Sequence, residues 1–151
     1  MLKVLIVDDE TVVRRGIVLG VDWASMDCVV VGEAANGEEG LAAAERYNPN
    51  LIITDVRMPR MDGIEMMRRL REKESTAHFI ILTAYDEFDY ARAALRYGAA
   101  DYLLKPFRDQ DLMSAIARVR EKEGAAQPAE DTLLLPKGDK SKYVLQTLNY
   151  I

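Results

Sequence analysis

The sequence predicts an α/β fold, a doubly wound five-stranded parallel sheet, on three observations. Short apolar, β-branched runs alternate along the chain with segments whose apolar residues recur at helical spacing. The apolar runs are nearly continuous rather than alternating with polar residues, as in strands covered on both faces. Each run but one ends in a particular kind of polar residue: Asp8 and Asp9, then Asp55, then Thr83, then Lys105.

Taken in order, Leu2 to Val7 (LKVLIV) reads as the first strand, and Asp8, Asp9 and Glu10 follow it directly. Acids also favour the positive end of a helix dipole, so a plain helix start stands beside a functional reading. The first helix runs from Val12 to Gly20, with Val13 and Ile17 inward and Arg14 and Arg15 outward. Val21-Asp22-Trp23 breaks it, and Trp23, the one tryptophan, reads as a packing residue. Cys28 to Gly32 is the second strand, Asn36-Gly37 a turn, and Glu38 and Glu39 open a second helix that Asn48-Pro49 closes.

Leu51, Ile52 and Ile53 form the third strand, which leads to Asp55. Met58-Pro59 and Asp62-Gly63 mark a loop. Ile64, Met67 and Leu70 then mark a third helix, with Arg68, Arg69 and Arg71 solvated. Phe79 to Leu82 is the fourth strand and ends at Thr83; the sole histidine, His78, reads as an ordinary residue ahead of it. Tyr85 to Tyr97 is a fourth helix with Phe88, Ala91 and Leu95 on one inward stripe, and Gly98 stops it. Asp101 to Leu104 is the fifth strand, ending at Lys105-Pro106-Phe107. Asp109 opens a fifth helix with Leu112, Ile116 and Val119 inward.

Composition narrows the class. Apolar residues make up 49% and charged residues 30%, which places the chain among globular rather than disordered proteins. A net charge of −5 argues against DNA binding by this stretch itself. One cysteine, Cys28, excludes an internal disulfide framework and fits a reducing, cytoplasmic setting. No apolar run approaches the ~20 residues of a membrane span, and strand-like residues begin at once where a signal peptide would need a charged segment. Residues 123–140 read as a linker, since from Gly124 to Asp131 small residues and one proline replace the helical pattern, and Pro136-Lys137-Gly138 breaks the short apolar run that follows. Residues 141–151 regain helical spacing through Val144, Leu145, Leu148 and Ile151.

In the flavodoxin-like strand order 2-1-3-4-5, strands 1, 3, 4 and 5 are neighbours, and ligands bind beyond their carboxyl ends. Asp8, Asp9, Asp55, Thr83 and Lys105 then converge on one crevice. Asp55 alone could be a nucleophile, a metal ligand or a loop cap. Three carboxylates without histidine or cysteine favour a hard cation, Mg²⁺, over zinc. A metal, an ammonium and a hydroxyl around one central carboxylate describe a clamp for a phosphoryl group. Asp55 is then read as the nucleophile that forms an aspartyl phosphate. The absence of a GxxxxGK[ST] loop argues against ATP as the direct donor.

Four segments, VDDE at 7–10, DVRMPRMDG at 55–63, LTAYD at 82–86 and DYLLKPF at 101–107, occur in order and at family spacing. On them, residues 1–122 resemble the receiver domain of two-component response regulators. VDW at 21–23 and the stretch AYDEFDYARAALRYGAADYLLKPF further resemble YesN-like regulators, which carry an AraC-type helix-turn-helix output domain. Residues 141–151 resemble the opening of that domain. The resemblance implies that Asp55 accepts a phosphoryl group from a sensor histidine kinase. It implies that Asp8, Asp9, Asp55 and the backbone carbonyl of Arg57 hold Mg²⁺. It also implies that Thr83 and Lys105 contact the phosphoryl oxygens, that Tyr102 changes rotamer with Thr83, and that Lys105-Pro106 is a cis peptide. Expected partners are the kinase, a second copy through the fourth helix, fifth strand and fifth helix, and DNA only through the output domain. On this reading the chain is a signalling phosphoacceptor and not an enzyme. An aspartyl-nucleophile phosphatase is the competing reading, but such enzymes carry a DxD pair on the first strand, where this chain has adjacent Asp8-Asp9. A pure interaction module is the third reading, and the complete acid, threonine and lysine set argues against it.

Overall fold

Successive residues of a strand point to opposite faces of a sheet, and here both faces are apolar. Val4 and Ile6 of β1 (Leu2–Val7) pack on one side with Leu51, Ile53, Ile80 and Leu82. Leu5 and Val7 pack on the other with Ile52, Phe79 and Ile81. Such strands need helices on both sides. These are α1 (Thr11–Gly20) and α5 (Asp109–Ala126), whose Ile17, Leu112, Ile116 and Val119 complete the first layer. On the opposite side lie α2 (Gly37–Tyr47), α3 (Gly63–Glu72) and α4 (Phe88–Arg96), which contribute Ala44, Met66, Met67, Leu70 and Ala94. β2 (Cys28–Ala34), β3 (Leu51–Asp55), β4 (His78–Thr83) and β5 (Asp101–Leu104) complete an all-parallel sheet in the order β2-β1-β3-β4-β5. Fold class and strand order are those expected from the sequence.

This computed structural model describes residues 1–84 and 88–126. The chain divides into two compact units, Met1–Val119 and Arg120–Ile151, and the sheet and its two layers belong to the first. Of the second unit, only the end of α5 falls among the described residues. Most of the 123–140 linker, the 141–151 helical segment and the predicted helix start at Tyr85 lie outside them. Within them, α5 continues through Ala126, past the linker start placed at 123. Glu123, Ala125 and Ala126 are good helix formers, and one glycine between them costs only about 1 kcal/mol.

Several local expectations need correction. β2 runs to Ala34, two residues beyond Gly32, and a 3₁₀ turn at Ala24–Met26 precedes it. Asn36-Gly37 is a helix start rather than a free turn: the Asn36 side chain accepts from the Glu39 amide at 2.9 Å, and Glu39 reaches back to the Ala35 amide at 2.9 Å. Among the described side chains of α4, Ala94 is fully buried whereas Leu95 is 55% exposed; the predicted inward residues Phe88 and Ala91 lie outside the described side chains. A small residue lets α4 lie close against β4, and a count of large apolar residues overlooks it. Arg71 is half-buried rather than fully solvated. Its guanidinium donates to the carbonyls of Ser75, Ala77 and Tyr97 at 2.7–2.8 Å and lies over the Phe79 ring at 5.0 Å. Burial depresses its pKa from the ordinary value. Trp23 packs on the first layer as expected, and its indole donates to the Val18 carbonyl at 3.0 Å.

The loop after β3 is fixed by backbone contacts at two glycines. The Gly63 amide donates to the Val56 carbonyl at 2.7 Å, and a Cβ there would collide with the Asp55 carbonyl oxygen. The Gly37 amide donates to the Met61 carbonyl at 2.8 Å, where a Cβ would collide in the same way. Gly63→Ala should therefore displace the loop beside Asp55 and lower stability by about 2 kcal/mol or more, a strain cost of the kind overpacking brings. Urea unfolding of both proteins measures it, and an unchanged midpoint would show that the loop relaxes freely.

Candidate functional site

The ends of four strands build the site. The hydrogen-bond ladder continues one residue past them: Asp8 N to Ala34 O at 3.0 Å, Val56 N to Leu82 O at 3.2 Å, and Lys105 N to Thr83 O at 2.8 Å. The first residue beyond each of β1, β3 and β5 thus still belongs to the backbone ladder. Asp8, Asp55 and Thr83 are buried, while Asp9 is exposed.

Each acid is oriented by a backbone amide. Asp55 Oδ1 accepts from the Val56 amide at 2.8 Å and Asp8 Oδ1 from the Glu10 amide at 2.9 Å. The Thr54 hydroxyl donates to the Asp55 carbonyl at 2.8 Å. The other oxygens of the two acids meet Lys105, whose Nζ lies 3.2 Å from both Asp8 Oδ2 and Asp55 Oδ2. Glu10 Oε1 is a third neighbour of the same ammonium, at 3.3 Å.

The electrostatics follow from this crowding. Burial, with the Asp8 charge next, pushes the Asp55 carboxyl up to about 6 against the pull of Lys105. Burial raises Asp8 as well. Burial works to lower the Lys105 ammonium, but Asp55 and Asp8 outweigh it and its pKa is raised. One cation therefore does not fully offset the acids around it. Carboxylate oxygens of Asp8, Asp9 and Asp55 lie within 4.8 Å of one another. An oxygen-only donor set with surplus negative charge fits a hard divalent cation.

The residues singled out in the sequence fall as follows. Asp8, Asp9, Asp55 and Lys105 meet in one pocket. Thr83 ends β4, its hydroxyl 3.2 Å from the Ala84 carbonyl. Tyr102 is on β5, outside the pocket, with 39% of its surface exposed. Arg57 is exposed in the loop two residues after Asp55. The Lys105-Pro106 peptide is cis. Two participants went unrecognised. Glu10 was visible as the third acid of VDDE, but not its contact with Lys105. Arg14, assigned outward, instead donates to the Asp8 carbonyl at 2.6 Å and to Glu33 Oε1 at 3.0 Å, tying the β1–α1 loop to β2.

A doubly wound sheet with buried acids and a lysine at its carboxyl edge defines an α/β domain with an acidic, cation-ready crevice. The model of the response regulator receiver domain matches residues 4–117, and the chain belongs to that family. It is the receiver domain of a two-component system response regulator. It is 35% identical over 119 residues to the transcriptional regulatory protein YesN of Bacillus subtilis, covering 79% of this chain and 32% of YesN. It is 37% identical over 141 residues to the transcriptional regulatory protein BtsR of Escherichia coli, covering 93% of this chain and 56% of BtsR. The chain thus spans between a third and just over half of these relatives. Among solved structures, the receiver domain of AraT from Geobacillus stearothermophilus superposes with a TM-score of 0.79 at 44% identity, covering 83% of this chain and 98% of that one. A two-component regulator of AraC type from Clostridium phytofermentans gives 0.77 at 31% identity, covering 84% and 98%.

An aspartate whose folded-state pKa exceeds its ordinary 3.8 favours the fold below that value, and this contribution is lost as pH rises through about 6. Asp55→Asn should therefore stabilise the metal-free protein at pH 7.5, on the order of 1–3 kcal/mol. The gain should shrink as pH falls from 6 toward 4. Melting curves at pH 7.5 and 4.5 test this. A gain undiminished at the lower pH, or a loss at the higher, would contradict the electrostatic account.

Proposed function

We propose that this receiver domain takes a phosphoryl group on Asp55 from a histidine kinase and passes the signal to a DNA-binding output domain. The observation that carries the reading is the Lys105 ammonium, held 3.2 Å from both Asp55 and Asp8 at the carboxyl edge of the sheet. An Asp55 oxygen forms the new bond to phosphorus while the bond from phosphorus to the donor imidazole nitrogen breaks, the nitrogen keeping the electron pair. Lys105 already lies at the attacking carboxylate and offsets charge gathering on the phosphoryl oxygens. Asp8 and Asp9, with Asp55 and the backbone of Arg57, would hold Mg²⁺, which supplies charge neutralisation for the transferring group. The burial of Asp55 keeps water away from the acyl phosphate. The chain acts on no outside substrate in this reading.

Thr83 supplies the response. Its hydroxyl turns toward the new phosphoryl oxygens, a charge-assisted hydrogen bond of about 1.5–3 kcal/mol. The space behind it admits Tyr102, now outward on β5. The surface that changes includes Leu95, Tyr102 and Leu104, all substantially exposed. A second copy of the chain could read it across a two-fold axis. YesN and BtsR are named as transcriptional regulators. We assign residues 1–126, to the end of α5, to the receiver, 127–140 to a linker and 141–151 to the start of a helix-turn-helix domain, in a cytoplasmic protein. Among the described residues no helix is long and apolar enough to cross a membrane.

Intact mass after incubation with Mg²⁺ and phosphoramidate should show one phosphoryl group on the wild type and none on Asp55→Asn. Equal uptake by the variant would sink the assignment. Thr83→Ala should take up the group but lose most of the accompanying amide shift change around Tyr102, read by NMR. Identical shifts in both proteins would remove Thr83 from the switch.

A further inference from the structure

Glu10 occupies the position before the first residue of α1, where short polar side chains usually cap the helix. It does not cap: its side chain accepts no amide of α1, although its own carbonyl accepts the Arg14 amide that starts the helix. The carboxylate instead lies at Lys105 Nζ, at 3.3 Å, with 61% of the side chain exposed. Its backbone is fixed from the other side, because the Glu10 amide donates to Asp8 Oδ1. Glu10 is thus a fourth carboxylate beside Asp8, Asp9 and Asp55, and it stands at the mouth of the site rather than its floor. It shares the ammonium with Asp8 and Asp55 and, being exposed, stands where an entering donor passes.

We propose that Glu10 is a specificity-determining residue that makes the site discriminate between phosphodonors by their charge. The inference rests on Asp55 being the phosphoacceptor. Two small donors differ in the required property. Acetyl phosphate enters as a dianion: an Asp55 oxygen bonds to phosphorus, the bond from phosphorus to the acetyl oxygen breaks, and acetate leaves with the electron pair. Phosphoramidate enters as a singly negative zwitterion: the phosphorus–nitrogen bond breaks and neutral ammonia leaves, its protons already in place. The product on Asp55 is the same. The Glu10 charge opposes the approach of the first donor more than that of the second, and its share of Lys105 is withdrawn from the same anion.

The test is phosphorylation of the full 151-residue chain with saturating Mg²⁺, followed by intact mass, for wild type, Glu10→Gln and Glu10→Asp. Glu10→Gln should raise the rate constant with acetyl phosphate by roughly three- to tenfold and with the singly charged phosphoramidate by about the square root of that, roughly two- to threefold. The difference should collapse near 0.5 M salt, where the screening length falls to about 4 Å. Glu10→Asp keeps the charge and should keep the wild-type ratio between donors. Equal effects of Glu10→Gln on both donors, persistence of the difference at high salt, or a Glu10→Asp ratio matching that of Glu10→Gln would each overturn the proposal. A wild type that gains no mass from either donor would instead remove the phosphoacceptor reading beneath it.

Discussion

One ammonium between two buried carboxylates is the constraint on which the rest of this structure depends. Asp8 and Asp55 are 97 and 50 residues from Lys105 in the sequence, yet share its Nζ at 3.2 Å. Two buried acids side by side are unstable unless a cation compensates them, and removing one partner of such a set leaves an uncompensated charge. The strand order answers this requirement. With β1 and β4 flanking β3, and β5 beside β4, the ends of separate strands can be brought together without any long loop. The surplus of negative charge that persists fits a hard divalent cation, which an evenly matched salt bridge would not.

The backbone around this centre is tighter than its side chains. Asp55 is held by the Val56 amide, by Thr54 at its carbonyl, and by the approach of Gly63. Asp8 is held by the Glu10 amide and by Arg14, which also grips Glu33 on β2. The carboxylates of both acids are oriented by main-chain amides, while the side chains of Thr54 and Arg14 hold their carbonyls. Lys105 is the long, flexible member and the one that can follow a changing charge. Such a division suits a site whose occupant comes and goes.

Most of this was legible in the sequence because burial on two faces leaves a coarse signal. The runs at Leu2, Leu51 and Phe79 are almost wholly apolar, and their alternation with helices gives a doubly wound parallel sheet, whose order 2-1-3-4-5 is that of the flavodoxin-like class. The pocket was legible because its members end strands and differ in kind from their neighbours. What escaped was set by geometry that composition does not carry. Ala94 rather than Leu95 faces the core, and a pattern of large apolar residues does not single out an alanine. Arg14 and Arg71 looked like solvated charges, yet each satisfies main-chain carbonyls, which no pattern of charged residues announces. Glu10 resembled a helix-start acid because its dipole preference and its contact with Lys105 place it at the same position.

The alternation of faces also divides the molecule energetically. Ile52 and Ile53 are covalent neighbours and both fully buried, but they belong to different layers, with the sheet as a partition between them. Among the described residues the two layers share no core side chain. Effects of substitutions in the two layers should accumulate independently, as they do for sites without common contacts. For protein engineering, the layer under α1 and α5 and the layer under α2, α3 and α4 are separate compartments. Either could be repacked wholesale while the other, and the strand ends it supports, remain as they are.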